Sequence, residues 1–499
     1  MALDLLRPIS IVFPMSQNNE CALCVDLDGT LVHSDMFWEC FVRVLKRKPW
    51  MICYGLFWLL SGRGIAYVKS RFAESAQINY ESLPYNHALL DYLRERQASG
   101  QGEIVLCTGS DRLVADAVQR ELGLFSNVLA SESSVNLTGQ KKADKLVSLY
   151  GEQGFDYIGN EQKDSFVWAR SRKALIVSPK NGVVGGLSNI FQFEKVFDAP
   201  SAGLKTWVKA CRLHQWVKNL LLFVPLGLSY VELSPSSALV AFLAFFIFGV
   251  VASATYLIND LFDLDADRAH RKKSQRPFAS GAIGIAQGVA VAAAMLLSGF
   301  MVSLVLLPLP FTLILLAYLI ATLMYSFFIK TVSMLDVCML AGLYTLRVIA
   351  GMVVLNLEWS FWLLAFSIFI FMSLALAKRA SELTNLKLAG GNRIKGRGYS
   401  TNDLPIINSM GVSSGLLSVL VIALYINSDR VETRFAHPEM LWVFCPILLY
   451  WIGRVWLITG RGRMDEDPIV FAIRDRVSWL LLLVGFLSAI FTAVMMEAL

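Results

Sequence analysis

The sequence predicts two domains of different fold class, an α/β domain over residues 1–200 and an all-α transmembrane bundle over residues 201–499. The chain has 499 residues, which is too long for one compact core. Hydrophobic residues make up 55% of it, and its mean hydropathy is +0.53. Apolar runs of membrane-spanning length recur only after about residue 205, whereas the earlier residues have a globular pattern.

The first segment with a chemical pattern follows a short apolar run, Ala22 to Val25, which is predicted to be a buried strand. Asp26 comes directly after it, and Asp28 comes two residues later, before Gly-Thr. This pattern suits phosphoryl transfer, because Asp26 can attack phosphorus while Mg²⁺ shields its charge and Asp28 can protonate the leaving oxygen. The carboxyl end of a strand is also where an open α/β sheet places its chemistry.

Asp-x-Asp-Gly-Thr resembles the signature of the haloacid dehalogenase (HAD) phosphohydrolase superfamily. A second predicted strand, Glu103 to Cys107, ends in Thr108, which is similar to the phosphate-binding residue of that superfamily. Lys142 resembles the lysine that pairs with the nucleophile and the phosphate. Lys141 and Lys145 are close enough in sequence to be alternatives.

The last HAD motif is usually Gly-Asp-x-x-x-Asp, and here Asn160 replaces its first Asp while Asp164 is kept. An amide oxygen can still coordinate Mg²⁺ but brings no charge. The resemblance implies a Rossmann-like HAD domain with a helical cap over residues 32–100. It also implies one Mg²⁺ held by Asp26, Asp28, Asn160 and Asp164. The alternative is a decayed fold that is retained as a scaffold.

The cap region contains an apolar run, Pro49 to Leu60, that is too short to cross a bilayer. Trp50, Tyr54 and Trp58 repeat every four residues within it, and Lys and Arg flank it. Two interpretations are open: a helix that lies on the membrane surface, or a helix that is buried within the cap.

The C-terminal half is predicted to cross the membrane nine times. The connections after the second, sixth and eighth spans are rich in Lys and Arg, whereas those after the first, third and fifth carry none. This asymmetry predicts a multi-pass protein of the bacterial inner membrane with the N-terminal domain in the cytosol. The spans are predicted near residues 217–233, 238–258, 282–306, 308–329, 333–355, 360–377, 405–426, 438–459 and 477–497.

The connection after the second span carries an Asp-rich segment, residues 256–281. Asn259, Asp263 and Asp267 are spaced i, i+4 and i+8, which predicts one helix face, with Asp260 beside them. Carboxylates on one face repel each other unless a cation holds them, and Mg²⁺ binds carboxylates together with substrate phosphate oxygens. The alternative is a solvated loop. The basic residues that follow and can hold phosphate are Arg268, Arg271, Lys272, Lys273 and Arg276.

This segment resembles the first Asp-rich motif of the UbiA superfamily of intramembrane prenyltransferases, Asn-Asp-x-x-Asp-x-x-x-Asp followed by Arg-Pro. In that superfamily the motif holds Mg²⁺ on a diphosphate. Tyr325 and Lys330, with Asp336 six residues further on, are similar to a second feature of the superfamily, Tyr-Ser-x-x-x-Lys. Arg347, within the fifth predicted span, needs an anionic partner, for which substrate phosphate, an Asp or a structural interhelical pair are the alternatives.

The chain departs from the superfamily after the sixth predicted span, where aromatic prenyltransferases carry a second Asp-rich motif. Basic residues stand there instead, which predicts a site for further phosphate. Together with the stretch around Lys218, this pattern resembles the decaprenyl-phosphate phosphoribosyltransferase branch. The residues concerned are Lys378, Arg379, Glu382, Arg393, Lys395, Arg397 and Tyr399.

The first functional hypothesis is therefore a phosphoribosyltransferase. Phosphoribosyl diphosphate would bind through Mg²⁺ to Asn259, Asp260, Asp263 and Asp267, and a polyprenyl phosphate entering from the bilayer would attack the ribose. The HAD domain, with its own Mg²⁺, would then remove the 5-phosphate. The candidates for holding the 5-phosphate are Lys378, Arg379, Lys395 and Arg397.

Two further hypotheses remain open. In one, the Asp-rich segment binds a prenyl diphosphate and the protein prenylates an aromatic or other acceptor, with an independent or regulatory HAD domain. In the other, the chain is a membrane-anchored scaffold with both sites silent. No nucleic-acid partner is expected, and a homo-oligomer is compatible with the sequence.

Overall fold

The computed structural model describes residues 21–132, 135–178, 187, 190–228, 235–394, 396–432, 438–464 and 468–497. The chain divides into two compact units. The N-terminal unit extends to Trp207 and also contains Asp260–Gln287, while the second unit contains Val208–Asn259 and the residues from Gly288 onward. The charged part of the Asp-rich segment, from Asp260, thus belongs to the N-terminal unit, which the sequence did not predict.

A six-stranded, all-parallel sheet forms the centre of the N-terminal unit, in the order β3-β2-β1-β4-β5-β6. The central strands are apolar because helices cover both faces of a parallel sheet; all four residues of β1 are buried. The prediction of an α/β domain is confirmed. The strands are β1 (Ala22–Val25), β2 (Ile104–Asp111), β3 (Asn127–Ser131), β4 (Phe155–Gly159), β5 (Lys173–Ser178) and β6 (Phe193–Asp198).

Four helices lie between β1 and β2, where a helical cap was predicted. The fourth contacts β6 and contributes Leu89 and Leu93 to the core under the sheet, so the insertion outside the sheet is limited to the first three. The helices of this part are α1 (Met36–Arg47), α2 (Met51–Leu60), α3 (Gly64–Ser75), α4 (His87–Ala98), α5 (Arg112–Leu122), α6 (Gln140–Tyr150) and α7 (Ser165–Trp168).

Helix α2 exposes most of its apolar side chains. Trp50, directly before the helix, is 58% exposed, Phe57 is 61% exposed, and Leu60 is 83% exposed. Only Met51 and Gly55 are buried. The interpretation of this run as a buried cap helix is therefore wrong for the described part of the chain, because too few neighbouring residues cover it.

The second unit is helical, and seven described helices are long and apolar enough to cross a membrane. They match seven of the nine predicted spans. By length and composition they are Pro235–Phe262, Ile285–Leu306, Leu309–Phe327, Leu335–Val354, Phe361–Leu388, Thr401–Ile426 and Glu439–Gly460. The α-helices that follow α7 are α8 (Leu204–Ala210), α9 (Val224–Leu228), α10 (Pro235–Phe262), α11 (Leu264–Arg268), α12 (Ile285–Leu306), α13 (Leu309–Phe327), α14 (Leu335–Val354), α15 (Phe361–Leu388), α16 (Leu404–Ile426), α17 (Asp429–Glu432), α18 (Phe444–Gly460), α19 (Pro468–Arg474) and α20 (Arg476–Glu497).

The first and last predicted spans differ from the prediction. The first is not one α-helix, because a 3₁₀ segment, Leu213–Phe223, precedes the short helix α9. Pro225 has no N–H to continue an α-helical ladder from the preceding turn, which accounts for the change at this point. Residues 229–233 lie outside the described residues. The last predicted span corresponds to α20, whose described apolar stretch is Arg476–Gly485.

Small residues allow the helices of the second unit to pack closely around α15, which contacts α14, α16 and α18. A Cβ at Gly411 on α16 would lie 2.1 Å from the indole ring of Trp456. The Trp456 Nε1–H donates to Ser373 Oγ at 3.0 Å, and Ser373 donates to the Gly411 carbonyl at 2.7 Å. Such small residues and interhelical hydrogen bonds replace the hydrophobic driving force that is absent between helices in lipid.

Candidate functional site

The predicted site residues of the N-terminal unit lie at one edge of the sheet because β2, β1 and β4 are neighbours. Asp26 and Asp28 follow β1, Thr108 lies in the C-terminal half of β2, and Asn160 and Asp164 follow β4. The carboxyl ends of parallel strands share an edge, so these side chains converge although up to 138 positions of sequence separate residues 26 and 164.

Lys142 is the lysine that lies next to Asp26. Its Nζ is 2.7 Å from Asp26 Oδ1 and 3.0 Å from the Tyr157 hydroxyl oxygen, and it is buried, whereas Lys141 and Lys145 are exposed. The Tyr157 hydroxyl donates to Asp164 Oδ1 at 2.7 Å. The backbone N–H groups of residues 160 and 161 fix the other oxygen of Asp164, each at 3.0 Å.

Asp28 accepts three hydrogen bonds, and one comes from a residue that sequence reasoning missed. Ser110 Oγ donates to Asp28 Oδ2 at 2.7 Å, closer than Thr108 Oγ1 at 3.3 Å. The Thr108-Gly109-Ser110 pattern contained this signal, since two hydroxyls separated by one residue can both face the strand end. The third donor is the backbone N–H of Met36, 2.7 Å from Asp28 Oδ1.

Burial raises the pKa of Asp26 to about 7, although Lys142 opposes the effect, and burial also raises the pKa of Asp28. Asn160 Oδ1 accepts from the Thr30 hydroxyl at 3.1 Å. No three His, Cys, Asp or Glu side chains come together as a metal cluster within the part of the chain that the structure describes. Mg²⁺ nevertheless prefers oxygen ligands of the kind present here, namely the carboxylates of Asp26, Asp28 and Asp164 and the amide oxygen of Asn160.

The Asp-rich segment does not form the single helix that its spacing predicts. Helix α10 ends at Phe262, and α11 begins at Leu264. Asp263, between them, has φ −99° and ψ 12° and serves as the N-cap residue of α11. The break lies in the backbone conformation of this residue, because the Asp263 side chain makes no capping hydrogen bond. The expected face of Asn259, Asp263 and Asp267 is therefore interrupted at its centre.

Arg276 neutralises the carboxylates on both sides of this break. Its Nη1 is 3.1 Å from Asp260 Oδ1 and 2.7 Å from Asp267 Oδ2, and both carboxylates are buried. Burial raises the pKa of Asp267, and Arg276 opposes that shift. Asp263 Oδ1 lies 3.8 Å from Lys46 Nζ, while Arg271 is exposed. The carboxylate oxygens suit Mg²⁺, and the guanidinium group of Arg276 already lies between those of Asp260 and Asp267.

A buried ionic cluster lies in the second unit and includes basic residues that follow the sixth predicted span. Arg379 Nη2 is 2.7 Å from Asp336 Oδ2, and both side chains are fully buried. The Tyr399 hydroxyl donates to Asp336 Oδ1 at 2.6 Å. Arg379 also pairs with Glu382, and Arg397 Nη1 lies 3.7 Å from Asp336 Oδ2. We call these five residues the arginine cluster.

Two guanidinium atoms of the arginine cluster have unused hydrogen-bonding capacity. The buried Arg379 Nε and Arg397 Nη1 have no hydrogen-bond acceptor in the described part of the chain. A buried donor without an acceptor is unfavourable, so these atoms suit an anionic ligand. Lys378 is half-buried, and Lys395 lies outside the described residues.

Arg347 contacts side chains of neighbouring elements, as in the structural interhelical alternative. Its Nε donates to Asn219 Oδ1 at 3.1 Å, its Nη2 to the Tyr318 hydroxyl at 3.0 Å, and its Nη1 to the Leu343 carbonyl at 2.7 Å. Neutral oxygens and nearby aromatic rings stabilise this cation. The remaining predicted residues are Lys218, which is buried with its Nζ 5.6 Å from the ring centre of Tyr344, and the half-buried Tyr325 and Lys330.

Comparison with known proteins matches residues 220–471 to the UbiA prenyltransferase family. The uncharacterized protein y4nM of Sinorhizobium fredii is 34% identical over 459 residues, which covers 92% of this chain and 88% of that protein. The chain belongs to the UbiA prenyltransferase family. With its seven long apolar helices, this UbiA protein is a multi-pass membrane protein.

Two further similarities cover little more than half of this UbiA protein. The decaprenyl-phosphate phosphoribosyltransferase of Mycobacterium tuberculosis is 29% identical over 300 residues, covering 58% of this chain and 95% of that enzyme. A solved structure of a UbiA homolog from Archaeoglobus fulgidus bound to GPP and Mg²⁺ aligns with a TM-score of 0.44 and 19% identity. It covers 57% of this chain and 99% of that chain.

Proposed function

We propose that this UbiA protein transfers 5-phosphoribose from phosphoribosyl diphosphate to a polyprenyl phosphate, and that its N-terminal domain is a HAD phosphatase that removes the 5-phosphate. The arginine cluster carries the first part, since its unused buried donors suit a second phosphate. By the resemblance given above, it also lies in the region where aromatic prenyltransferases carry a second Asp-rich motif. The similarity to decaprenyl-phosphate phosphoribosyltransferase supports the same donor. In this proposal the protein lies in the bacterial inner membrane with the N-terminal domain in the cytosol.

In the transfer step, a phosphate oxygen of the polyprenyl phosphate attacks the ribose C1 and pyrophosphate leaves. Asn259, Asp260, Asp263 and Asp267 would hold Mg²⁺, which would supply charge compensation for the diphosphate. Arg276 contributes further positive charge beside these carboxylates. Arg379 and Arg397 hold the 5-phosphate, which orients the sugar.

In the second step, Asp26 attacks the phosphorus of the 5-phosphate and Asp28 donates a proton to the leaving ribose oxygen. The raised pKa of Asp28 suits a proton donor. Lys142 and Ser110 bind near the two carboxylates and stabilise the transferred phosphoryl group. Water then hydrolyses the aspartyl phosphate and releases inorganic phosphate.

The donor can be identified by a binding comparison. We expect phosphoribosyl diphosphate with Mg²⁺ to raise the unfolding temperature of the purified protein more than geranyl diphosphate does, because only the sugar donor presents an additional phosphate. Arg397→Gln should reduce the shift with the sugar donor and leave that with geranyl diphosphate unchanged. A larger shift with geranyl diphosphate that Arg397→Gln does not alter would instead favour a prenyl donor.

The exposed apolar helix α2 remains predicted to lie on the membrane surface. Basic residues flank it at Arg47, Lys48 and Arg63, as expected for an interfacial helix near anionic lipids. We expect brominated lipids in proteoliposomes to quench a probe attached at the exposed Cys53 of the full-length protein, but not one attached at Leu149→Cys on α6. Equal, weak quenching at both positions would show that α2 faces water.

A further inference from the structure

Helix α1 of the N-terminal domain contacts the Asp-rich segment along one face. Glu39, Arg43 and Lys46 are spaced i, i+4 and i+7, so they point to the same side of the helix. Arg43 Nε donates to Asp265 Oδ2 at 3.2 Å, and Lys46 Nζ donates to the Phe262 carbonyl at 2.5 Å. Each turn of α1 thus holds a different point of this segment.

Glu39 is the centre of this contact and is fully buried. Arg268 donates to both of its oxygens, from Nη2 to Oε1 at 2.6 Å and from Nη1 to Oε2 at 3.1 Å. Arg43 and the Ser34 hydroxyl also donate to the Glu39 carboxylate, each at 2.5 Å. Burial alone would raise the pKa of Glu39, but Arg268 and Arg43 lower it to about 2, so the carboxylate stays ionised.

A second contact fixes the far end of the Asp-rich segment. Gly281 has φ +74°, and a Cβ there would lie 2.4 Å from the carbonyl oxygen of His33. Arg268 Nε also donates to the Ala279 carbonyl at 3.1 Å, which ties α11 to the end of the segment. The segment therefore packs against the N-terminal domain at α1 and at the turn that precedes it.

We propose that Glu39 of the N-terminal domain is a positioning residue for the transferase reaction, because it holds Arg268 and thereby sets the place of the metal-binding carboxylates Asp263 and Asp267. This inference rests on the proposed function of the Asp-rich segment. Arg268 directly follows Asp267, and Asp265, the partner of Arg43, lies between the two carboxylates in sequence. The segment turns at Asp263 instead of continuing as a helix, so contacts from outside α10 must define its conformation.

The consequence of losing Glu39 follows from its partners. Without the carboxylate, the buried Arg268 loses its charged partner, and Arg43 is left with Asp265 alone. Arg268 is the last residue of α11 and directly follows Asp267, so the loss of its partner acts on the helix that carries this ligand. The predicted effect is a displaced metal site in a protein that keeps its sheet and its helices.

Mn²⁺ binding to the full-length protein in nanodiscs, followed by electron paramagnetic resonance, tests this inference directly. An Asp26→Asn background weakens metal binding at the strand-end site, so the signal reports the Asp-rich segment. In that background we expect Glu39→Gln to raise the Mn²⁺ dissociation constant by about 10-fold or more, the loss typical of residues that orient metal ligands. The KM for phosphoribosyl diphosphate should rise with it, while the amides of residues 263–281 exchange faster with deuterium.

Two further variants keep the test decisive. Asp265→Asn, whose side chain is half exposed, should produce a smaller change in the same direction without leaving a buried cation unpaired. Asp156→Asn is the matched control, because Asp156 is a buried carboxylate of the same unit that pairs with Arg172 at 2.8 Å and does not contact the Asp-rich segment. It should leave Mn²⁺ affinity unchanged.

Unchanged Mn²⁺ affinity and segment exchange in a folded Glu39→Gln protein would overturn the positioning role, as would equal losses in Glu39→Gln and Asp156→Asn. A different result would show that the proposed function of the Asp-rich segment is itself wrong. If Asp263→Ala itself leaves Mn²⁺ binding and transfer intact, the Asp-rich segment is not the metal site.

Discussion

Alanine at Asp263 or Asp267 is expected to reduce phosphoribosyl transfer by at least about 100-fold, since each substitution removes a proposed metal ligand rather than an outer partner of one. At Asp267 the variant also releases Arg276 from one of its two carboxylates. The charge that compensates the departing diphosphate is then both reduced and displaced. Transfer of radiolabelled phosphoribose from its diphosphate to polyprenyl phosphate in lipid extracts measures the effect.

The matched control for these variants is Glu358→Ala, which removes an exposed carboxylate from the connection between α14 and α15. It should transfer phosphoribose at the rate of the parent protein. A loss restricted to Asp263→Ala and Asp267→Ala supports the metal site. Parental turnover in both of these variants would contradict the proposed reaction itself.

Asp26→Asn is expected to stop removal of the 5-phosphate while transfer continues, so the 5-phosphorylated lipid should accumulate. An amide of the same shape cannot attack phosphorus, and loss of a nucleophile reduces such a reaction by at least about 1,000-fold. Mass spectrometry of the lipid product, together with release of inorganic phosphate, distinguishes the two steps.

Lys142→Met should have the same direction of effect, because Lys142 contacts Asp26 and no part of the transfer chemistry. Asp156 is the second residue of β4, whereas the site residues follow the C-terminal end of that strand. Asp156→Asn therefore again serves as the control for damage to the N-terminal domain. Identical product patterns from Asp26→Asn and the parent protein would exclude the N-terminal domain from this reaction sequence.

The sequence predicted those parts of the structure that depend on local pattern. Asp26 follows a buried strand, and the sheet order then brings Thr108 and Asn160 to the same edge. The motif singled out Lys142 and left Lys141 and Lys145 as alternatives, and the structure decides between them because only Lys142 is buried. Seven apolar helices were predicted correctly since their length and hydropathy leave little alternative in a bilayer.

The errors arose where a single residue or a distant partner decides the conformation. Pro225 interrupts the first predicted span, and Asp263 turns the chain where spacing alone predicted a continuous helix. The contact between Glu39 and Arg268 joins residues 229 positions apart, so no local pattern could reveal it.

The division of the chain into units has a consequence for how such proteins can be recombined. The piece that packs with the sheet domain is not a continuous stretch, since it includes Asp260–Gln287 from the middle of the membrane half. A hybrid that exchanges only the residues before Trp207 would present Arg268 with a foreign surface. In evolution or in engineering, the residues up to Trp207 and Asp260–Gln287 must therefore be exchanged as a pair.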